Sequence, residues 1–194
     1  MKQDKQDRRS KRTRQLVNSA MLELLSEKDY EAITVQDILE RAGIGRTTFY
    51  SHYYDKEDVH ASMLEQMLEG MHQQLSLKQD GQGIVPSLDL FQHIQQQPKH
   101  FRAIAGGQSG ERLWEGMQTM LRKIIEQALV AASENASSPS IPLSVTAIYL
   151  SGAFLNLLKW WLKSGMPYSP EEMDQFFRQL ALPGVWATLQ SKNK

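Results

Sequence analysis

The sequence predicts an all-α protein, long enough for one compact domain or for a small domain fused to a larger one. Three observations carry this. Apolar residues recur at three- and four-residue spacing through segment after segment, the period of an amphipathic helix. No run of four or more residues alternates in the manner of a half-buried strand. Glycine, proline, serine and asparagine gather in short stretches between the periodic segments, where they punctuate helices.

The elements follow in order. From Lys11 to Glu27 the apolar positions are Leu16, Val17, Ala20, Met21, Leu24 and Leu25, one buried face with a wet one opposite. "KDYEAI" breaks that helix. "TVQDILERAG" starts another, with Thr34 as N-cap and Asp37 three residues on, a pattern resembling a capping box. Gly43 supplies the usual C-terminal stop. A very short helix fits Arg46 to Tyr53. Asp55 then caps a long one in which Val59, Met63, Met67, Met71 and Leu75 repeat every four residues. "LKQDGQGIVP" (77–86) reads as a loop. "SLDLFQHIQQQ" is helical, Pro98 stops it, and a short helix passes through Phe101 to Ala105. After a break at "GGQSG" (106–110) comes a long helix from about Glu111, and "SENASSPSIP" (133–142) reads as a turn or mobile loop. An apolar helix spans about Leu143 to Lys163. The last helix starts at Pro170, a residue pre-set for a first helical turn, and runs to about Leu180, resuming after Pro183-Gly184.

Bulk composition narrows the function classes. The 194 residues carry 22 basic and 22 acidic side chains, a net charge of zero, so no global field steers the molecule to nucleic acid or membrane. Local asymmetry exists: Lys2, Lys5, Arg8, Arg9, Lys11, Arg12 and Arg14 face only Asp4 and Asp7. That run is either a solvated leader or a phosphate-tracking arm. The absence of cysteine excludes disulfides and thiol catalysis and suits a reducing, cytoplasmic setting. Residues 145–162 are apolar, but Thr146, Ser151, Asn156 and Lys159 interrupt them, so the expectation is a core helix and no membrane.

"RAGIGRTTFYSHYYDKED" (41–58) is the most informative stretch. Its hydrogen-bonding side chains do not suit a buried helix, and its aromatics do not suit a plain surface one. Two helices joined by a tight turn explain it. Ile38, Leu39 and Ala42 face inward, Gly43 takes the positive φ of the turn, Ile44 plugs the corner and Phe49 packs the second helix on the first. The face then offered holds Arg46, Thr47 and Thr48. An arginine can fork onto a guanine edge, and a threonine can meet a thymine methyl or a phosphate. Tyr50, His52 and Tyr53 are placed for flanking phosphates, with Lys56 at the start of the next helix. The plainer alternative makes Tyr50 and Tyr53 half-buried braces, and Tyr54 suits a brace better than a contact.

These residues resemble the tetracycline-repressor (TetR) family of bacterial transcriptional regulators, over roughly residues 11–60, with "TTFYSHYYDKEDV" as the specific part. The resemblance implies an all-α homodimer in which an N-terminal three-helix helix-turn-helix domain binds a palindromic double-stranded DNA operator and is followed by a larger helical ligand-binding and dimerisation bundle. It adds Arg14, Thr34 and Gly45 to the expected DNA contacts. It also implies a domain division at 1–54 and 55–194, the second part holding an effector pocket and the dimer interface, with the helix from Asp55 linking the two. No cofactor is implied.

For the second part, pocket candidates are the Met and aromatic residues Met67, Met71, Phe91, Phe101, Trp114, Met117, Met120, Phe154 and Trp160, with Asn156, His93 and His100 as polar points. The competing reading is that these side chains are simply core. The surplus apolar surface of the last two helices suggests a two-fold interface through Leu150, Phe154, Leu158, Trp161, Met173, Phe176, Phe177 and Leu180, with Gly152 and Ala153 permitting close approach. No nucleophile elbow, HExxH, phosphate loop or metal-ligand spacing argues for an enzyme. A scaffold protein that kept the motif without using it remains the second reading.

Overall fold

The computed structural model describes residues 2–77, 83–105, 107–133 and 139–190. The helices are α1 (Lys2–Glu27), α2 (Val35–Ala42), α3 (Arg46–Tyr50), α4 (Lys56–Leu77), α5 (Ser87–Gln96), α6 (Pro98–Ile104), α7 (Gly107–Ser133), α8 (Leu143–Lys163) and α9 (Pro170–Gln190), with a 3-10 turn at Tyr30–Ala32. No strand occurs among the described residues. The expected loops at 77–86 and 133–142 fall partly outside the described residues, as does Gly106.

The chain gathers into two compact units, Met1–Glu69 with Lys99–Leu113, and Gly70–Pro98 with Trp114–Lys194. Both α4 and α7 run through residues of each unit. In the first unit α1 packs on α2. Its core holds Val17, Met21, Leu24, Ile38, Leu39, Phe49, Val59 and Met63. In the second, α9 packs on α5 and α8. Phe91, Phe154, Trp161 and Phe177 form an edge-to-face chain there, with ring centroids 5.1–5.3 Å apart. Such pairs add about 0.5–1.5 kcal/mol each beyond area burial. The Trp161 indole N–H donates to the Tyr168 carbonyl at 2.8 Å, which ties the end of α8 to the turn before α9. Ser87 donates to Asp174, whose carboxylate also accepts from Arg178 Nε at 2.8 Å.

Several boundaries differ from the sequence expectation; α3 ends at Tyr50 rather than Tyr53, and Pro98 opens α6. α1 begins at Lys2 rather than near Lys11, because the basic residues are good helix formers and carry the helix back past its last core contact. α7 begins at Gly107, so part of "GGQSG" is helical. α9 continues through Pro183 instead of stopping near Leu180. Ala181, Val185 and Leu189 are buried on either side of that proline, so packing outweighs the missing hydrogen bond.

Candidate nucleic-acid interface

The turn between α2 and α3 is built by local chemistry. Thr34 caps α2: its hydroxyl donates to Asp37 Oδ2 at 2.6 Å and accepts from the Asp37 backbone N–H at 3.2 Å. These bonds, and Lys28 at 2.9 Å, hold the Asp37 carboxyl well below the usual carboxylate range. Gly43 ends α2 at φ 65, ψ 36, the left-handed conformation that side-chain-bearing residues resist. Gly45 caps α3, and the first helical residue is Arg46. Phe49 is fully buried beneath α3, whereas Arg46, Thr47, Thr48 and Tyr50 are exposed. The result is a short helix fixed from below, with polar side chains outward. Arg41 forks onto Glu27 at 2.7 and 2.9 Å, bracing α2 against α1.

The predicted contacts divide. Arg14, Gly45, Arg46, Thr47, Thr48 and Tyr50 are exposed, and His52 is half-buried. Thr34 is exposed, but its hydroxyl serves the capping box. Tyr53 is corrected from contact to brace. It is 4 % exposed, and its hydroxyl donates to Asn18 Oδ1 of α1 at 3.2 Å. Asn18 in turn donates to Gln66 of α4 at 2.9 Å. The neighbouring Tyr54, expected to brace, is 89 % exposed, with its backbone N–H on Asp58 Oδ2.

Lys56 also departs from expectation. Its ammonium donates to the carbonyls of Tyr30 and Ile33 at 3.0 Å and of Glu31 at 3.3 Å. It also lies 4.5 Å from the Tyr30 ring centroid. This side chain clamps the 3-10 turn. Lys56→Met is therefore expected to lower stability by about 1.5–3 kcal/mol, the range for hydrogen bonds to a charged group. The salt dependence of DNA binding should stay unchanged. Thermal melts and a salt titration separate this from a phosphate role, which would flatten the salt slope instead.

His60 was not among the expected functional residues. It is buried and meets the Tyr30 ring at a 53° tilt, centroids 5.0 Å apart, and its Nε2 meets no hydrogen-bond partner among the described residues. Burial and then the Arg112 charge lower its pKa, against Glu57. The Tyr30 hydroxyl is pushed up to about 12, chiefly by burial and by Glu57. The folded unit thus prefers a neutral imidazole. Stability from this site is complete above the ordinary histidine value of about 6.5 and is lost as pH falls towards the lowered folded value. His60→Phe, which keeps a ring on Tyr30, is expected to flatten the acid limb of a melting-temperature profile. An unchanged limb would assign the acid loss to other groups.

The pocket candidates are dispersed. Met67, His100 and Phe101 lie in the first unit, the others in the second. Phe91, Phe101, Met117 and Phe154 are buried, Trp114 and Met120 are half-buried, and the His100 side chain lies outside the described ones. Asn156 is corrected from buried anchor to surface residue: it is exposed, and its amide donates to the Gly152 carbonyl one turn back. Trp160 is exposed too. Within the second unit a half-open cavity of about 370 Å³ is lined by Met71, Gln74, Leu75, Asp89, Leu90, Gln92, His93 and Gln96. Only Met71 and His93 were foreseen. Burial lowers the pKa of His93, so that wall favours a neutral ring. No cluster of His, Asp or Glu suited to a metal ion occurs among the described residues.

The expected interface needs the same correction. Leu150, Phe154, Leu158, Trp161, Met173 and Phe177 are consumed by the chain's own core, and only Phe176 and Leu180 are exposed. The exposed apolar positions are instead Val145, Ile148, Tyr149 and Trp160 on α8, with Phe176, Leu180 and Trp186 on α9.

A small helix-turn-helix unit joined to a helical second unit defines a class, the DNA-reading regulators of all-α fold. The profile described as "Bacterial regulatory proteins, tetR family" matches residues 19–63, and "Transcriptional regulator C-terminal region", a TetR-type profile, matches residues 87–182. The chain belongs to the TetR family of bacterial transcriptional regulators, not to an enzyme family. It is 45 % identical over 60 residues to an uncharacterized HTH-type transcriptional regulator, YxbF, of Bacillus subtilis, covering 30 % of this chain and 16 % of that one. It is 28 % identical over 108 residues to an uncharacterized HTH-type regulator of Haemophilus influenzae, covering 53 % of each. The chain thus spans about half or less of these curated relatives. The solved TetR transcriptional regulator of Streptococcus agalactiae shares its fold, with a TM-score of 0.67 and 24 % identity over 91 % of this chain and 97 % of that one.

Proposed function

We propose that this protein is a sequence-specific transcriptional regulator that binds a palindromic operator as a homodimer. In this reading it is a cytoplasmic repressor released by a small effector. The observation that carries it is α3, a helix pinned by buried Phe49 that offers Arg46, Thr47 and Thr48 outward. A scaffold role gives no reason for that concentration of exposed polar groups on a rigidly held turn. Short polar side chains near the start of a recognition helix are what base edges require. Arg14 and Tyr50 are assigned to flanking phosphates, and exposed Tyr54 joins them. Exposed Arg8, Arg9, Lys11 and Arg12 on α1 supply the positive charge that the neutral chain otherwise lacks.

Dimerisation is assigned to the exposed stripes of α8 and α9. Val145, Ile148, Tyr149 and Trp160 are exposed on α8 with half-buried Gly152 among them at helical spacing, and Leu180 is 80 % exposed on α9. A Cβ at Gly152 would meet open space, so a second backbone can approach there.

The effector is assigned to the cavity beside α5. Its lining mixes Met71, Leu75 and Leu90 with three glutamines, Asp89 and His93, which favours an amphipathic molecule over a purely apolar one. A ligand at 100 times its Kd stabilises by about 2.7 kcal/mol. It releases DNA only if it prefers the state that fits the operator poorly. A thermal-shift panel of small amphipathic compounds, followed by operator release, tests this. If no compound does both, the effector part of the reading fails.

A further inference from the structure

We propose that Gln36 is a positioning residue for Arg46 and thereby sets sequence preference, an inference that rests on α3 reading DNA. Arg46 Nη2 donates to Gln36 Oε1 at 2.9 Å, and Gln36 Nε2 donates to Glu40 Oε1 at 2.8 Å. All three side chains are exposed, so none of them holds the core together. The chain runs from α3 back onto α2. Gln36 and Glu40 sit one turn apart on α2, and Arg46 is the first residue of α3.

The chemistry explains why a glutamine stands there. Its amide must accept from a guanidinium and donate to a carboxylate at once. Turned over, it would set N–H against N–H and oxygen against oxygen, so its orientation is defined by its two neighbours. A carboxylate at this position would repel Glu40, and an apolar side chain would release Arg46. The bond to Gln36 uses one of the five guanidinium N–H groups, leaving donors to fork onto a base edge. An arginine already held in place loses less side-chain freedom on docking, and that difference falls on the base it reads.

The test is operator selection from a random DNA pool by the full-length chain and its variants, with affinities for the selected site. Arg46→Ala and Gln36→Ala are expected to flatten preference at the same operator position, Gln36→Ala with about a 2- to 10-fold loss for the best site. In the Arg46→Ala background, Gln36→Ala should change nothing further, because the residue it positions is gone. Glu40→Gln keeps an acceptor for the amide and should keep the preference. Gln36→Met, equally long and a good helix former, serves if the alanine variant melts early. Flattening of a different position by Gln36→Ala, multiplied losses in the double variant, or equal weakening on all sequences each overturns the proposal. A wild-type chain that selects no sequence overturns the DNA-reading function itself, an outcome distinct from a wild type that selects normally and a Gln36 variant that matches it.

Discussion

Leu180→Glu is expected to convert the proposed dimer to a monomer and to lower operator affinity by about 100-fold or more. The side chain projects from α9 almost fully exposed, so a carboxylate there costs the isolated chain little. Across a two-fold axis the same substitution brings two like charges together within an apolar patch, where they are desolvated without partners. A monomer carries one recognition helix and loses the second binding event, which linked modules enjoy at an effective concentration worth 10²–10⁴ in affinity. Sedimentation of the free protein and anisotropy on a two-half-site DNA report the two effects separately. A variant that stays dimeric would move the interface elsewhere. A monomer with unchanged affinity would contradict the two-fold reading of the operator.

Phe154→Ala carries the largest expected effect on stability. The ring is fully buried and meets Phe91 and Phe177 edge-to-face. Truncating such a residue typically costs about 3–5 kcal/mol, from lost transfer energy and the cavity left behind. For a chain of this size that lowers the melting temperature by roughly 6–20 °C. Phe154 was also a candidate for an effector wall and for a dimer contact. Either of those roles predicts a small loss in the free protein, with the penalty appearing only when ligand or partner is added. A melt without ligand, repeated over a range of protein concentration, distinguishes the three.

The fold was legible from the sequence wherever one local rule sufficed. Thr34 and Asp37 define the start of α2, Gly43 defines its end, and the spacing of Val17, Met21 and Leu24 defines the buried face of α1. Legibility failed where distant groups decide the outcome. Lys56 looks like a phosphate contact because it follows the recognition helix, yet its partners are carbonyls 23–26 residues earlier. Tyr53 is a brace because Asn18, on another helix, accepts from it, and it is the expected brace Tyr54 that is exposed. α8 defeated the reading differently. It is apolar nearly all round, so periodicity does not say which stripe is core and which is surface, and the expected interface fell mostly on the core stripe. The partnership of Gln36 with Arg46 spans two helices and leaves no mark in the spacing.

The central claim is that two copies of α3 read a palindrome. The direct measurement is selection of bound fragments by the purified full-length protein from random double-stranded DNA at physiological salt. The account predicts one inverted repeat whose half-sites lie about one helical turn apart, roughly 34–36 Å, or somewhat more. It also predicts that Arg46→Ala relaxes one position in each half-site at a cost of about 1–3 kcal/mol. Enrichment of no sequence, or of a single site without symmetry that the Arg46 variant selects equally well, would contradict it.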